Sequence, residues 1–204
     1  MAKESDNVYL GNPNLKKANT PISFTKKQVA EYLKCKDDPV YFTEKFIKII
    51  NLDEGLVPFD MYPFQRKLIH NFHTSRFNIC KMPRQSGKST TVVSYLLHYA
   101  LFNDSVTIGI LANKAQTARD LLGRLQIAYE ALPKWMQQGI IAWNKGSMEL
   151  ENKSKIIAAS TSASAVRGMS FNIIFLDEFA FIPNHIADDF FSSVYPTISS
   201  GKST

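Results

Sequence analysis

The stretch from Lys81 to Thr90, KMPRQSGKST, constrains this chain more than any other. It closes on Gly87-Lys88-Ser89-Thr90, the second half of a phosphate-binding loop. The apolar run Phe77-Asn78-Ile79-Cys80 ahead of it predicts a buried strand, and Thr91 to Leu97 behind it carries helical apolar spacing. Strand, loop, helix is the setting such a motif needs. Successive backbone N–H groups from Arg84, Gln85, Ser86 and Gly87 into the helix start at Thr90, with the positive helix end, favour phosphate oxygens. Lys88 is expected to reach the β and γ phosphates, and the Ser89 hydroxyl to ligate Mg²⁺. Met82 stands where the first glycine of G-x-x-x-x-G-K-[ST] belongs, and Pro83 beside it has no N–H to offer. The loop must therefore enter by another turn. The same four residues recur as Gly201-Lys202-Ser203-Thr204, with no strand before and no helix after, and that copy reads as coincidence.

A chain of 204 residues suits one sizeable domain with a covered sheet. Its 45% hydrophobic and 21% charged content is ordinary for a soluble globular protein. The net charge of +6 leans mildly towards a polyanionic partner, without any long basic run. Cys35 and Cys80 are the only cysteines, so no disulfide framework or zinc spacing exists, which fits a reducing compartment. No signal-like segment opens the chain and no apolar run approaches membrane-spanning length, so an intracellular, soluble protein without a membrane partner is expected.

Residues 1–20 are polar and expected to form a flexible arm, followed by an N-terminal helical segment over 21–58. Thr25 with Gln28 makes a capping-box pattern, and Asp38-Pro39 reads as N-cap and first residue of a second helix. Phe42, Phe46 and Ile49 line one face of that helix and read as core. Residues 59–204 are expected to hold the phosphate-loop domain. An aromatic turn, Phe59 to Arg66, leads into a helix through Phe64, Leu68, Ile69 and Phe72. Gln65 at its start can pair with the donor–acceptor edge of adenine; taken by itself it reads as an exposed helix-start residue. Val106 to Ala112 predicts a buried parallel strand, and Ala118, Leu121, Leu122, Leu125 and Ala128 an amphipathic helix ending near Pro133. Ile140–Trp143, Ser147–Leu150 and Lys155–Ala159 predict short strands, a small antiparallel insert at about 140–160 whose last strand rejoins the sheet.

Asn172 to Leu176 is a second buried-strand run that ends in Asp177 and Glu178. Asp177 emerges where ligands bind in open α/β sheets and is expected to hold Mg²⁺ opposite Ser89. Glu178 is positioned to deprotonate a water in line with the γ phosphate, which points to hydrolysis of ATP; taken alone the pair could be a solvated strand end. Arg84 is either a finger on the transferring phosphoryl group, worth roughly 10³–10⁵ in turnover, or a ground-state phosphate clamp.

These motifs, together with Phe64-Gln65-Arg66, Arg84 to Ser89, Gly109 to Lys114, Trp143 to Ser147, Val166-Arg167-Gly168 and Phe179 to Asn184, run in family order across about residues 30 to 201. In them the chain resembles the N-terminal ATPase region of the large terminase subunit, the DNA-packaging motor of tailed bacteriophages, especially those with contractile tails. The missing first glycine is itself a habit of that family. The resemblance implies an α/β P-loop NTPase of the additional-strand, catalytic-Glu class, similar to RecA and helicase cores. Its mostly parallel sheet would be flanked by helices and incomplete at the C-terminus. ATP and Mg²⁺ are the implied cofactors. Double-stranded DNA, the capsid portal protein, the small terminase subunit and further copies of the chain, a pentamer in the motor, are the implied partners. The implied location is the host cytoplasm, transiently at the procapsid portal and not in the mature virion. Arg167-Gly168 would sense nucleotide or DNA, or is a plain loop arginine. The chain stops at Thr204, before the strand expected to carry the family's coupling motif and before its nuclease domain, so weak Mg-ATP binding, slow turnover and self-association are expected of this length. Two other readings stand beside this one: a helicase-like DNA-dependent ATPase, and a non-catalytic fragment that binds ATP or partners without turnover.

Overall fold

The computed structural model describes residues 7–51, 53–162 and 168–199. Arg167 and the second GKST therefore lie outside the described residues. The polar start of the chain is not a loose arm over its described part. Strands β1 (Val8–Tyr9) and β2 (Asn12–Lys16) form a hairpin, and Leu15 is buried in the main core. Gln137 fixes it: its Oε1 accepts from Lys16 N at 3.0 Å and its Nε2 donates to the Asn14 carbonyl at 2.9 Å. Lys16 also pairs with Glu151 at 2.6 Å, and Lys17 bridges Ile140. The arm reading fails because the groups that satisfy this backbone come from more than a hundred residues away, where composition gives no hint.

Helix α1 (Lys26–Asp37) opens on a true capping box. Thr25 Oγ1 accepts from Gln28 N at 3.2 Å, and Gln28 Oε1 accepts from Thr25 N at 2.9 Å. Asp38 caps α2 (Pro39–Phe46) through bonds of 2.9 Å from Val40 N and Tyr41 N. Phe42 enters the core, but α2 stops at Phe46, so Ile49 lies instead on a hairpin of β3 (Lys48–Asn51) and β4 (Gly55–Pro58). The turn there is made by Asn51 Oδ1, which accepts from Asp53 N at 2.8 Å, and by Gly55 at φ 75°. Helix α3 (Pro63–Thr74) follows.

Helix α4 (Lys88–Phe102) is the centre of the molecule. Its sequence is apolar on every side, and eleven of its residues, among them Val92, Val93, Leu96, Leu97 and Leu101, are buried. A helix apolar all round must be covered all round, and α2, α3 and α5 (Ala115–Glu130) pack on it. The sheet has the order β6 (Ile140–Trp143), β7 (Ser147–Leu150), β8 (Lys155–Ser160), β5 (Thr107–Ala112), β9 (Ile173–Asp177). β5 pairs in parallel with both β8 and β9, whereas β6, β7 and β8 form an antiparallel meander. Helix α5 lies on β5 and β8, and α6 (Asn184–Ser199) follows β9. Among the described residues no helix is long and apolar enough to cross a membrane.

One expected element is not formed. Residues 77–80 join no described ladder, Ile79 is 100% exposed, and Cys80 is only half-buried. Apolar content marks a segment able to enter a sheet, but a strand also needs a neighbour for its N–H and C=O groups. The described edge of the sheet on that side is β9, whose one partner is β5.

Two buried features make the fold testable. A Cβ on Gly139 would lie 2.5 Å from Ala18 Cα and 2.7 Å from the Lys17 carbonyl, the seam where the N-terminal segment meets β6. Gly139→Ala should cost about 1–3 kcal/mol by overpacking and raise proteolytic cleavage within residues 7–20; urea unfolding and limited proteolysis check both. His98, within α4, donates from Nε2 to the Cys35 carbonyl at 2.8 Å, while its buried Nδ1 has no partner among the described residues. Burial pushes its pKa down to about 4 against the weaker opposing pull of that bond. The unfolded chain takes up a proton near pH 6.5 that the folded chain refuses. Stability should therefore be full above about pH 7 and fall by about 3 kcal/mol as pH drops towards 4. His98→Phe should flatten that slope in urea titrations between pH 6.5 and 4.5.

Candidate active site

The phosphate loop does take a different entry. Ser86 Oγ donates to the Pro83 carbonyl at 2.9 Å, closing a turn over Arg84 and Gln85. The left-handed residue in that turn is Gln85, at φ 60°, rather than a glycine at position 82. Gly87 follows at φ 71° as the N-cap of α4. A side chain there would be strained, so the second glycine of the motif is dictated by the backbone. Thr91, which sequence reasoning passed over, donates through Oγ1 to the Gly87 carbonyl at 3.0 Å and steadies the first turn.

The start of α4 differs from those of α1 and α2. It has no side-chain cap and no acidic residue in its first turn. Its leading N–H groups have no partner within the helix and carry the positive end of the helix dipole. Lys88, Ser89 and Thr90 stand in this first turn, each half-buried.

Across from it, β9 delivers Asp177. The register sets Ser160 of β8, Ala112 of β5 and Asp177 of β9 at one level, the C-terminal edge of the parallel strands. Asp177 is 6% exposed, and its Oδ1 lies 3.7 Å from Lys88 Nζ. That distance is an ion pair but too long for a hydrogen bond, and Oδ1 has no hydrogen-bond partner among the described residues. A buried carboxylate oxygen left in this state costs free energy unless a further cation or donor meets it. Among the described residues no group of three or more His, Cys, Asp or Glu could hold a metal by itself. The donors present, one carboxylate and one neighbouring hydroxyl, suit a cation that keeps waters and shares substrate phosphates, which is the habit of Mg²⁺.

Glu178 is exposed and sits at φ 52°, the left-handed region, where β9 breaks into the turn Phe179–Phe181. The backbone thus turns sharply between the two carboxylates. Arg84 is exposed on the loop and pairs with no described residue. Thr161, at the end of β8, is a second residue that sequence reasoning missed. Its N–H donates to the Ala112 carbonyl at 2.8 Å, and its buried hydroxyl has no partner among the described residues. A threonine directly after a buried strand, level with Asp177, was the available signal.

Gln65 is neither exposed nor free. It is 2% exposed, its Oε1 accepts from Tyr62 N at 2.9 Å, and its Nε2 donates to the Ser86 carbonyl at 3.1 Å. The expectation of an open carboxamide presented to a base does not match this arrangement, in which both ends are held by backbone. The capping position of Gln65 in α3 and the proximity of the phosphate loop are the physical reason.

The crystal structure of the HK97 bacteriophage large terminase superposes with a TM-score of 0.63 at 18% identity, over 79% of this chain and 35% of that one. The Thermus phage P74-26 large terminase ATPase domain gives 0.57 at 20% identity, over 70% of this chain and 61% of that one. This chain thus spans about a third of the HK97 protein and about three-fifths of the Thermus phage domain. These likenesses establish the fold, an α/β P-loop NTPase fold. Residues 79–190, more than half of the sequence, match the family described as terminase large subunit, T4likevirus-type, N-terminal, and the chain belongs to that family.

Proposed function

We propose that this chain is the ATP-hydrolysing motor region of a phage terminase large subunit, whose turnover drives double-stranded DNA into the procapsid. The observation that supports it most is the meeting of Lys88 with the otherwise unpartnered Oδ1 of Asp177 at the uncapped start of α4. The two relatives named above are a large terminase and a large-terminase ATPase domain, which favours the same reading.

The first-turn N–H groups of α4 and the Lys88 ammonium hold the β and γ phosphates of ATP. Ser89 and Asp177 hold Mg²⁺, which when bound bridges those phosphates and neutralises charge as it develops. Glu178, beyond the turn after Asp177, takes the proton of a water whose oxygen bonds to the γ phosphorus. The bond from phosphorus to the β–γ bridging oxygen breaks, and its electron pair leaves with ADP. Arg84, exposed on the loop, adds positive charge beside the phosphates, either as a finger or as a clamp. DNA, the portal protein, the small terminase subunit and further copies of this chain, as a pentamer at the procapsid in the host cytoplasm, are its proposed partners.

Lys88→Ala should weaken Mg-ATP binding about 100-fold, the scale for removing one member of a charge-assisted contact. Lys202→Ala in the second GKST should leave it unchanged. Isothermal titration decides, and equal losses at both positions would sink the assignment. Glu178→Gln keeps shape but not basicity. ATP should bind as before while phosphate release falls at least about 10²-fold; wild-type turnover in that variant would remove Glu178 from the mechanism.

A further inference from the structure

We propose that Gln65 is a positioning residue that straps the phosphate loop into its binding shape, so that affinity for phosphate, and not choice of base, depends on it. The proposal rests on the reading that this loop binds a nucleoside triphosphate. Its two bonds also fix which end of the carboxamide is which, because a backbone N–H can only donate and a carbonyl only accept. Oε1 therefore faces Tyr62 N–H and Nε2 faces the Ser86 carbonyl.

The second bond determines the loop. In a trans peptide the C=O and the next N–H point in opposite directions. Holding the Ser86 carbonyl towards Gln65 turns the Gly87 N–H away from α3, and it keeps a carbonyl dipole from swinging into the space an anion needs. The fit is close: a Cβ on Gly87 would lie 2.5 Å from Gln65 Nε2, so the bare glycine admits the strap as well as the left-handed turn. The anchor at the other end is firm, since Gln65 N also donates to the Tyr62 carbonyl at 2.9 Å. Reading adenine requires oxygen and nitrogen of one carboxamide side by side on the base edge. Here those two atoms are engaged with two separate stretches of backbone.

Gln65→Glu keeps the acceptor for Tyr62 N–H and replaces the donor to Ser86 with an oxygen that repels it. Gln65→Met keeps length and loses both bonds. With Mg²⁺ present, the affinities of inorganic tripolyphosphate, ATP and GTP are measured for each variant. All three should fall by a common factor of roughly tenfold, the worth of a buried hydrogen bond with its lost partner, and the ATP-to-GTP ratio should stay at the wild-type value. The rise in melting temperature that tripolyphosphate gives should shrink in step, which a merely structural role would not produce. A collapsed ATP-to-GTP ratio with tripolyphosphate affinity intact would make Gln65 a base reader and overturn the proposal. Three unchanged affinities would reduce it to a cap of α3. Failure of the wild-type chain to bind tripolyphosphate at all would overturn the phosphate-site reading, and this inference with it.

Discussion

The burial of α4 on every side is the constraint from which the rest follows. Fifteen residues with scarcely a polar face cannot lie on a surface, so three helices are recruited to cover them. A buried helix must also satisfy its last carbonyls, and here the β meander does so. Asn152 Nδ2 donates to the Ala100 and Asn103 carbonyls at 2.9 and 3.0 Å, Gln138 Nε2 to Leu101 at 3.2 Å, and Ser154 Oγ to Asn103 at 2.7 Å. The C-terminal end of the helix is thereby held by side chains from two separate turns, while the N-terminal end has no cap of its own. That asymmetry turns a packing element into a fixed mount for the groups in its first turn.

The parts of the fold that depend on local chemistry were legible in the sequence. Caps at Thr25 and Asp38 mark α1 and α2, and the turn residues around Lys145 and Lys153 separate β6, β7 and β8. The β-branched runs give β5 and β9, with Asp177 at the end of one and Lys88 at the start of α4. What escaped depends on partners distant in the chain. The N-terminal hairpin is held by Gln137 and Glu151, and nothing within residues 7–20 announces either. Residues 77–80 have the composition of a strand but no described neighbour, since pairing is a property of two segments. Gln65 was misread for the same reason: a Gln offers the same two groups to a base as to a backbone, and only the approach of Ser86 decides between them.

The candidate site is assembled from ends of elements whose interiors supply the rigidity. α4 contributes its first turn, β9 its last residue, and α3 its first turn through Gln65. Each is anchored away from the site: β9 by its ladder with β5, and α3 by packing such as that of Phe72 on Tyr95, 5.6 Å between ring centres. Chemistry needs exposed groups, whereas placement needs buried ones, and putting functional residues at element ends meets both demands. The same division accounts for where strain is tolerated. Gln85 and Glu178 both sit at positive φ, a conformation costing of order 1–3 kcal/mol for a residue with a side chain. Each occupies a junction between a rigid element and the open site, where a relaxed backbone would carry the chain past the position instead of turning it. The packed core of α4 and the β5 ladder make up for that cost, and so the strained residues can persist beside the groups that touch substrate.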